Sequence, residues 1–223
     1  ESARDEIFGG YLQQLDDFAR TFIFEFNKLY SSGQGLVGNT ELTSDFTVSE
    51  TDVALDQVAL PFDPVNGSFQ VLTRNTQTGL TETTDIFVKL NGLDDDTTLQ
   101  SLTASLDAID GISASITSSR GLSIEVDSPN VEFAFANDTS GTLAALGIGT
   151  FFTGTGAGDI GVSSVVRASP ARFAASAGGI GADTDQAVEL ASFLDRPLDG
   201  ADGASLAVLY DRMIAETTQG AAV

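Results

Sequence analysis

Residues 12–30 read Leu12-Gln13-Gln14-Leu15-Asp16-Asp17-Phe18-Ala19-Arg20-Thr21-Phe22-Ile23-Phe24-Glu25-Phe26-Asn27-Lys28-Leu29-Tyr30. Together with Phe8 and Tyr11, the apolar positions Leu12, Leu15, Phe18, Ala19, Phe22, Ile23, Phe26, Leu29 and Tyr30 recur at steps of three and four, the period of an amphipathic helix. The spacing predicts one long helix over residues 1–31. Phe8, Leu15, Phe22 and Leu29 stand seven apart and draw a single seam along it. A seam of this kind packs first within its own domain core, and any exposed part of it is a surface for a neighbouring subunit. Asp5, Asp16, Asp17 and Glu25 make the polar face acidic. Gly9-Gly10 weakens the start, and Ser31-Ser32-Gly33 ends the helix, with Gly33 expected as a left-handed cap.

Beyond that helix the pattern changes. Gly35, Gly38, Pro61, Pro64 and Gly67 punctuate residues 34–66, which read as a linker into a second module. Residues 68–74 and 83–90 read as strands joined by the turn Asn75-Thr76-Gln77-Thr78-Gly79, a hairpin. Leu99, Leu102, Leu106 and Ile109 return to helical spacing, with Asp94-Asp95-Asp96 ahead of them as an acidic N-terminal cap. Three strands of period two follow, carrying Ile112/Ala114/Ile116, Leu122/Ile124/Val126 and Val131/Phe133/Phe135, and then a helical turn at 143–146 that closes at Gly147. Residues 147–161 are glycine-rich, and 162–166 read as one more short strand. Helical spacing resumes with Ala187, Leu190, Ala191 and Leu194 behind Asp183-Thr184-Asp185-Gln186, and again with Leu206, Leu209, Tyr210, Met213 and Ile214. The fold class is therefore α+β. The two helical ends, residues 1–42 and 158–223, pair as one discontinuous helical domain, and residues 43–157 form an inserted β-rich module of order strand-strand-helix-strand-strand-strand.

Composition removes much chemistry. The 223 residues contain no Cys, His or Trp. Thiol nucleophiles, a Ser-His-Asp triad, imidazole ligation and zinc sites built on Cys and His are thereby excluded, as are disulfides. Ten Lys and Arg against 32 Asp and Glu give a net charge of −22. Phosphate backbones and anionic membrane surfaces call for clustered cations, so neither nucleic acid nor membrane is an expected partner. A hydrophobic fraction of 42% separates the chain from disordered acidic tails. The apolar runs fall far short of the ~20 residues that span a bilayer. Glu1-Ser2-Ala3-Arg4-Asp5-Glu6 lacks the basic start and apolar core of a signal peptide and reads as a cut inside a helix.

The motifs with possible chemistry are weak. Gly156-Ala157-Gly158-Asp159-Ile160-Gly161 is a literal G-x-G-x-x-G, but β-forming residues follow it and Asp159 stands where a phosphate would go, so it reads as a flexible connection. Asp94-Asp95-Asp96 and Asp199-Gly200-Ala201-Asp202-Gly203 lack the spacing of a twelve-residue calcium loop. Asn66-Gly67-Ser68 and Asn137-Asp138-Thr139 match the glycosylation pattern and equally fit ordinary turns. No carboxylate pair is singled out for glycoside hydrolysis. No catalytic residue, cofactor or metal is expected.

Three stretches resemble the bacterial flagellar hook-associated protein 1 family of the hook–filament junction. Ala3-Arg4-Asp5-Glu6, continuing through Leu12–Ala19 to Asn27-Lys28-Leu29-Tyr30-Ser31-Ser32-Gly33, is similar to that family's first helix, with Tyr30 where His is frequent. Asp159-Ile160-Gly161-Val162 with Ala168-Ser169-Pro170-Ala171-Arg172-Phe173-Ala174-Ala175-Ser176 resembles a second family stretch. Asp183-Thr184-Asp185-Gln186-Ala187-Val188-Glu189-Leu190-Ala191 resembles a third, with Asp185 in place of the usual Asn. Residues 40–66 are the least recognisable.

The resemblance implies a structural subunit, an adaptor between hook and flagellin filament. It implies a flagellin-like helical axial domain with the β-rich module outermost. The terminal polymerisation helices of the family are absent from this stretch, which is expected to be a fragment. Export through the flagellar type III pathway without a cleaved signal peptide, an extracellular location and an export chaperone are implied with it. So are hook protein and the second hook-associated protein as partners, and self-association through the terminal helices. Phe8, Leu15, Phe22, Leu29, Leu206, Tyr210 and Met213 are then the subunit-packing candidates. The alternatives are an acidic calcium-binding bacterial surface adhesin and another axial protein, either the second junction protein or a flagellin.

Overall fold

The computed structural model describes residues 2–198 and 201–220, with side chains at 9–198 and 201–217. It is a mixed α+β fold in which several discontinuous helices carry an inserted, open β-sheet module. The first helix, α1 (Ser2–Ser31), spans 30 residues. Its most buried stripe is Ala19, Ile23, Asn27 and Tyr30, at steps of four, four and three. The seven-residue seam does not coincide with that stripe: Leu15 is 44% exposed, while Phe22 and Leu29 are half-buried. A straight helix turns every 3.6 residues, so a seam of period 3.5 drifts about 20° per heptad out of the contact. Glu25, read on the acidic outer face, is buried and pairs with Lys28 at 3.3 Å.

The helix ends without a left-handed glycine, because Gly33 is not among the residues of positive φ. Its amide donates to Tyr30 O at 3.0 Å. A Cβ at Gly33 would overlap Gln186 Cγ, so close approach of another helix is what demands glycine there.

Residues 34–66 are packed structure and not a linker. β1 (Glu41–Thr43) lies in this segment, and Leu42, Val48, Leu55, Val58 and Phe62 are all buried. Strand β1 straddles the expected boundary at 42/43. Apart from Leu42 in β1, the buried apolar residues here follow neither helical nor strand period, because they enter the core from an irregular backbone.

The hairpin forms from β2 (Gly67–Asn75) and β3 (Thr81–Val88). Asn75 Oδ1 accepts from the amides of Gln77 and Thr78, and Gly79 supplies the left-handed φ of +75°. Next comes α2 (Leu99–Asp107), capped by Thr98, whose hydroxyl accepts from Ser101 N while Ser101 Oγ accepts from Thr98 N. The aspartates ahead of it do other things. Asp95 pairs with Lys89 at 2.6 Å, and Asp96 accepts the amides of Asn91 and Gly92.

After α2 come β4 (Ile112–Ile116), β5 (Leu122–Val126), β6 (Val131–Ala136) and α3 (Thr142–Leu146). These strands make two antiparallel sheets, β1-β5-β4 and β3-β2-β6. The final strand therefore pairs with β2, at Gln70↔Ala136 through Asn75↔Val131, and not with its sequence neighbour β5. Leu99, Leu102, Leu106 and Ile109 join Ile112, Ile124, Phe133 and Phe135 in one core between the sheets, with Ile116 packed against it.

The remainder contains the short pair β7 (Phe152–Thr153) and β8 (Gly161–Val162), then α4 (Ser164–Ala168), α5 (Asp185–Ala191) and α6 (Leu206–Gly220). Residues 164–166 are thus the start of a helix, where a strand was expected. Val165 and Val166 are strand formers, but that preference depends on context and tertiary structure overrides it here.

Candidate functional site

The candidate surface is built on α1 and α6, which lie antiparallel. Tyr11 donates its hydroxyl proton to Thr217 O at 3.1 Å, Gln14 Nε2 donates to Glu216 Oε2 at 2.9 Å, and the Phe18 and Tyr210 rings sit 6.0 Å apart. One apolar cluster anchors the pair. Phe193, Leu198 and Leu206 are buried in it, and Phe18, Phe22, Phe26, Leu29 and Leu209 pack against them. On its other side α1 meets α3, where Ile23, Phe62 and Ala145 form a second cluster and the Phe24 and Phe62 rings stack at 4.9 Å. The helix therefore joins the β-rich module to the chain's last third.

Asn27 is the polar centre of this junction. It is buried, its Nδ2 donates to Phe152 O at 2.9 Å, and its Oδ1 accepts from the amides of Phe151 (3.1 Å) and Phe152 (3.0 Å). The segment so held places Phe151 and Phe152 against Phe22, Phe26 and Tyr30, with ring separations from 4.9 to 5.6 Å. Tyr30 OH accepts from Ala174 N at 3.1 Å, and burial raises its pKa.

Of the seven packing candidates, the structure brings Phe22, Leu29 and Leu206 into the internal cluster. Leu15 and Tyr210 stay exposed, at 44% and 49%. Met213 lines a groove of 280 Å³ between α1 and α6, floored also by Phe18 and Leu209 and rimmed by Asp17, Arg212 and Glu216. The side chain of Phe8 lies outside the described residues. Sequence reading missed Leu12, Val208 and Ile214 as exposed apolar residues of the same pair, and Asn27 as a buried polar one. Leu12 and Ile214 lie at helical spacing with their buried neighbours, and that spacing does not separate covered positions from exposed ones. Asn27 carried two signals, its place four residues from Ile23 and its place in the stretch that resembles the family's first helix, and neither marks it as a buried backbone anchor.

The other motifs resolve into local structure. Asp159 accepts the amides of Thr155 and Gly156 at 2.8 and 2.9 Å, and Ala157 N donates to Asp16 Oδ1 at 2.8 Å. Those amides hold Asp159 below the usual carboxylate range. The glycine-rich loop is thus tied to α1 and is not a flexible connection, and the amides a phosphate would need are already used. Asp138 caps α3, accepting the amides of Ser140, Gly141 and Leu143, yet its burial outweighs those bonds and raises its pKa. Among the described residues no group of three or more carboxylates gathers as a metal site, and Asp199 and Gly200 lie outside them. Among the described residues no helix is long and apolar enough to cross a membrane.

No protein-family model matches this chain, and no curated protein matches it.

Proposed function

We propose that this chain is a structural subunit of the bacterial flagellum, an adaptor at the hook–filament junction. The observation that carries the reading is the antiparallel α1–α6 pair with the β-rich module inserted between its two strands of sequence. An axial protein needs this arrangement: helices that run together along the assembly, and a module carried off them. The three stretches that resemble the hook-associated protein 1 family lie in α1, in residues 159–176 and in α5, all within the helical part. In this reading the helical part is the flagellin-like axial domain and the module faces outward. Hook protein and the second hook-associated protein are the neighbours, and the α1–α6 groove is a contact between copies. Export proceeds through the flagellar apparatus with a chaperone, and the protein works outside the cell. The assignment is structural and needs no catalytic group.

The test is deletion of the gene in a bacterium that carries it, followed by electron microscopy and a motility assay. Hooks without filaments, with flagellin lost to the medium and motility restored by the intact gene, are the expected result. Normal filaments and swimming after deletion would overturn the proposal.

A further inference from the structure

The longest exposed strand edge belongs to β3. It is the outer strand of the sheet β3-β2-β6 and spans eight residues. Its register with β2 runs unbroken from Gly67↔Val88 to Arg74↔Thr81, so no bulge twists the edge away. Hydrogen bonds alternate along an antiparallel pair. Asn75 N donates to Leu80 O, which sets the parity: even-numbered residues face β2, and odd-numbered ones turn their N–H and C=O outward. Lys89 agrees with this parity, its outward N–H donating to Thr97 Oγ1 and its outward carbonyl accepting from Thr97 N. The cover stops there. Among the described residues, the outward backbone groups of Thr81, Thr83, Asp85 and Phe87 make no hydrogen bond to another element. By contrast the far edge of the sheet is covered, because Asn39 and Phe133 exchange both backbone bonds.

Natural edge strands are guarded by proline, lysine, bulges or short length. β3 has none of these, and its only charged residues are Glu82 and Asp85. Two copies paired along this edge would gather four carboxylates with no cation on either strand. Glu82 and Asp85 lie about 10 Å apart at ~3.3 Å per residue, comparable to the screening length at physiological salt. The guards therefore repel a second copy and attract a basic strand. Phe87, 71% exposed, stands at the end of the row as an apolar contact.

We propose that the open edge of β3 is a strand-addition site for an extended basic segment of another chain, with cations placed three residues apart to face Glu82 and Asp85. The mode is main-chain pairing for affinity and side-chain matching for selectivity. It stands independently of the flagellar reading.

The probe is an acetylated, amidated nine-residue peptide repeating Thr-Lys-Val three times, with a Thr-Glu-Val repeat as its counterpart. Titrated into the chain and followed by NMR, the lysine peptide should bind and slow amide exchange at Thr81, Thr83, Asp85 and Phe87. The glutamate peptide should not bind. Thr83→Pro removes an outward N–H and spares the bonds to β2, so it should keep the fold and weaken binding at least tenfold. The pair E82Q/D85N keeps an acceptor for Gln70 Nε2 and should also lower the lysine peptide's affinity while leaving the hairpin intact. Absence of binding to the native chain, equal binding to T83P, or protection outside β3 would overturn the site. Equal affinity for the two peptides would overturn its charge selectivity.

Discussion

Asn27 satisfies three backbone groups with one side chain, and its position on α1 decides where residues 151–152 lie. Replacing it with alanine leaves two amides and a carbonyl without partners in a part-buried place. A stranded buried donor costs about 1–3 kcal/mol. Asn27→Ala should therefore lower stability by about 2 kcal/mol in urea unfolding, with loss of order concentrated at Phe151 and Phe152. Single carboxylates differ as sharply. Burial raises Asp138, so between the ordinary value of about 3.9 and its folded value the native chain holds the extra proton. Its stabilising contribution is present at low pH and is lost as pH rises through that folded value. Backbone amides depress Asp159 and Asp183, so their contributions are present above about 3.9 and are lost as pH falls through the lowered values. Carboxyl carbon shifts in an NMR titration should place Asp138 above the ordinary value and the other two below it.

At the scale of elements, α2 is the keystone of the module. Its apolar residues Leu99, Leu102 and Leu106 are each no more than 2% exposed, and they fill the space between the sheets. Burying a leucine is worth about 1.5–3 kcal/mol, and an unpaired carboxylate in its place adds a desolvation penalty. Leu102→Asp should unfold the module, seen as collapse of the dispersed NMR signals of β4, β5 and β6. Surviving native signals from those strands would show that α2 is dispensable. For α1 the relevant fact is that it has two contact faces. Ile23 and Phe24 pack toward α3, Phe26 and Leu29 pack toward the cluster of Phe193 and Leu206, and Phe22 touches both clusters. A wide apolar arc, and not a narrow seam, is what a helix shared by two layers requires.

The whole molecule carries −22 over 223 residues. Among the described residues, the large exposed apolar side chains on α1 and α6 are Leu12, Leu15, Val208, Tyr210 and Ile214, interleaved with charged groups such as Asp16, Asp17, Asp211 and Arg212. Mutual repulsion at this charge outweighs so divided an apolar surface until salt screens it over about 8–10 Å. Sedimentation velocity on this chain should show a monomer in dilute low-salt buffer, with any association growing as salt is added. A tight oligomer at low salt would mean that the described surface already holds a complete interface. Module and base are also clamped at long range. Arg74 binds Glu132 and donates to Ile180 O at 2.7 Å, and Glu132 accepts from Gly38 N at 2.7 Å. These contacts tie β2 and β6 to residues 38 and 180, and Glu132 is buried in doing so.

What the sequence determined by itself was the type and order of the main elements. The helical spacing before Tyr30, around Leu102 and after Leu206, the period-two strands, and the Asn75–Gly79 turn are all visible because period and turn chemistry are local properties. The tertiary structure decided what those elements touch. It chose the Ala19–Ile23–Asn27–Tyr30 stripe over the seven-residue seam, buried Glu25, and drew residues 34–66 into the core. It also docked the glycine-rich loop on Asp16 and paired β6 with β2 across some sixty residues, at Gln70↔Ala136. The exposed members of the α1–α6 surface were equally out of reach, since Leu12 and Ile214 share the period of buried neighbours. Periodicity tells a helix which side is apolar, but the side that is buried depends on which distant surface arrives to cover it. That choice is made by packing among residues far apart in the chain.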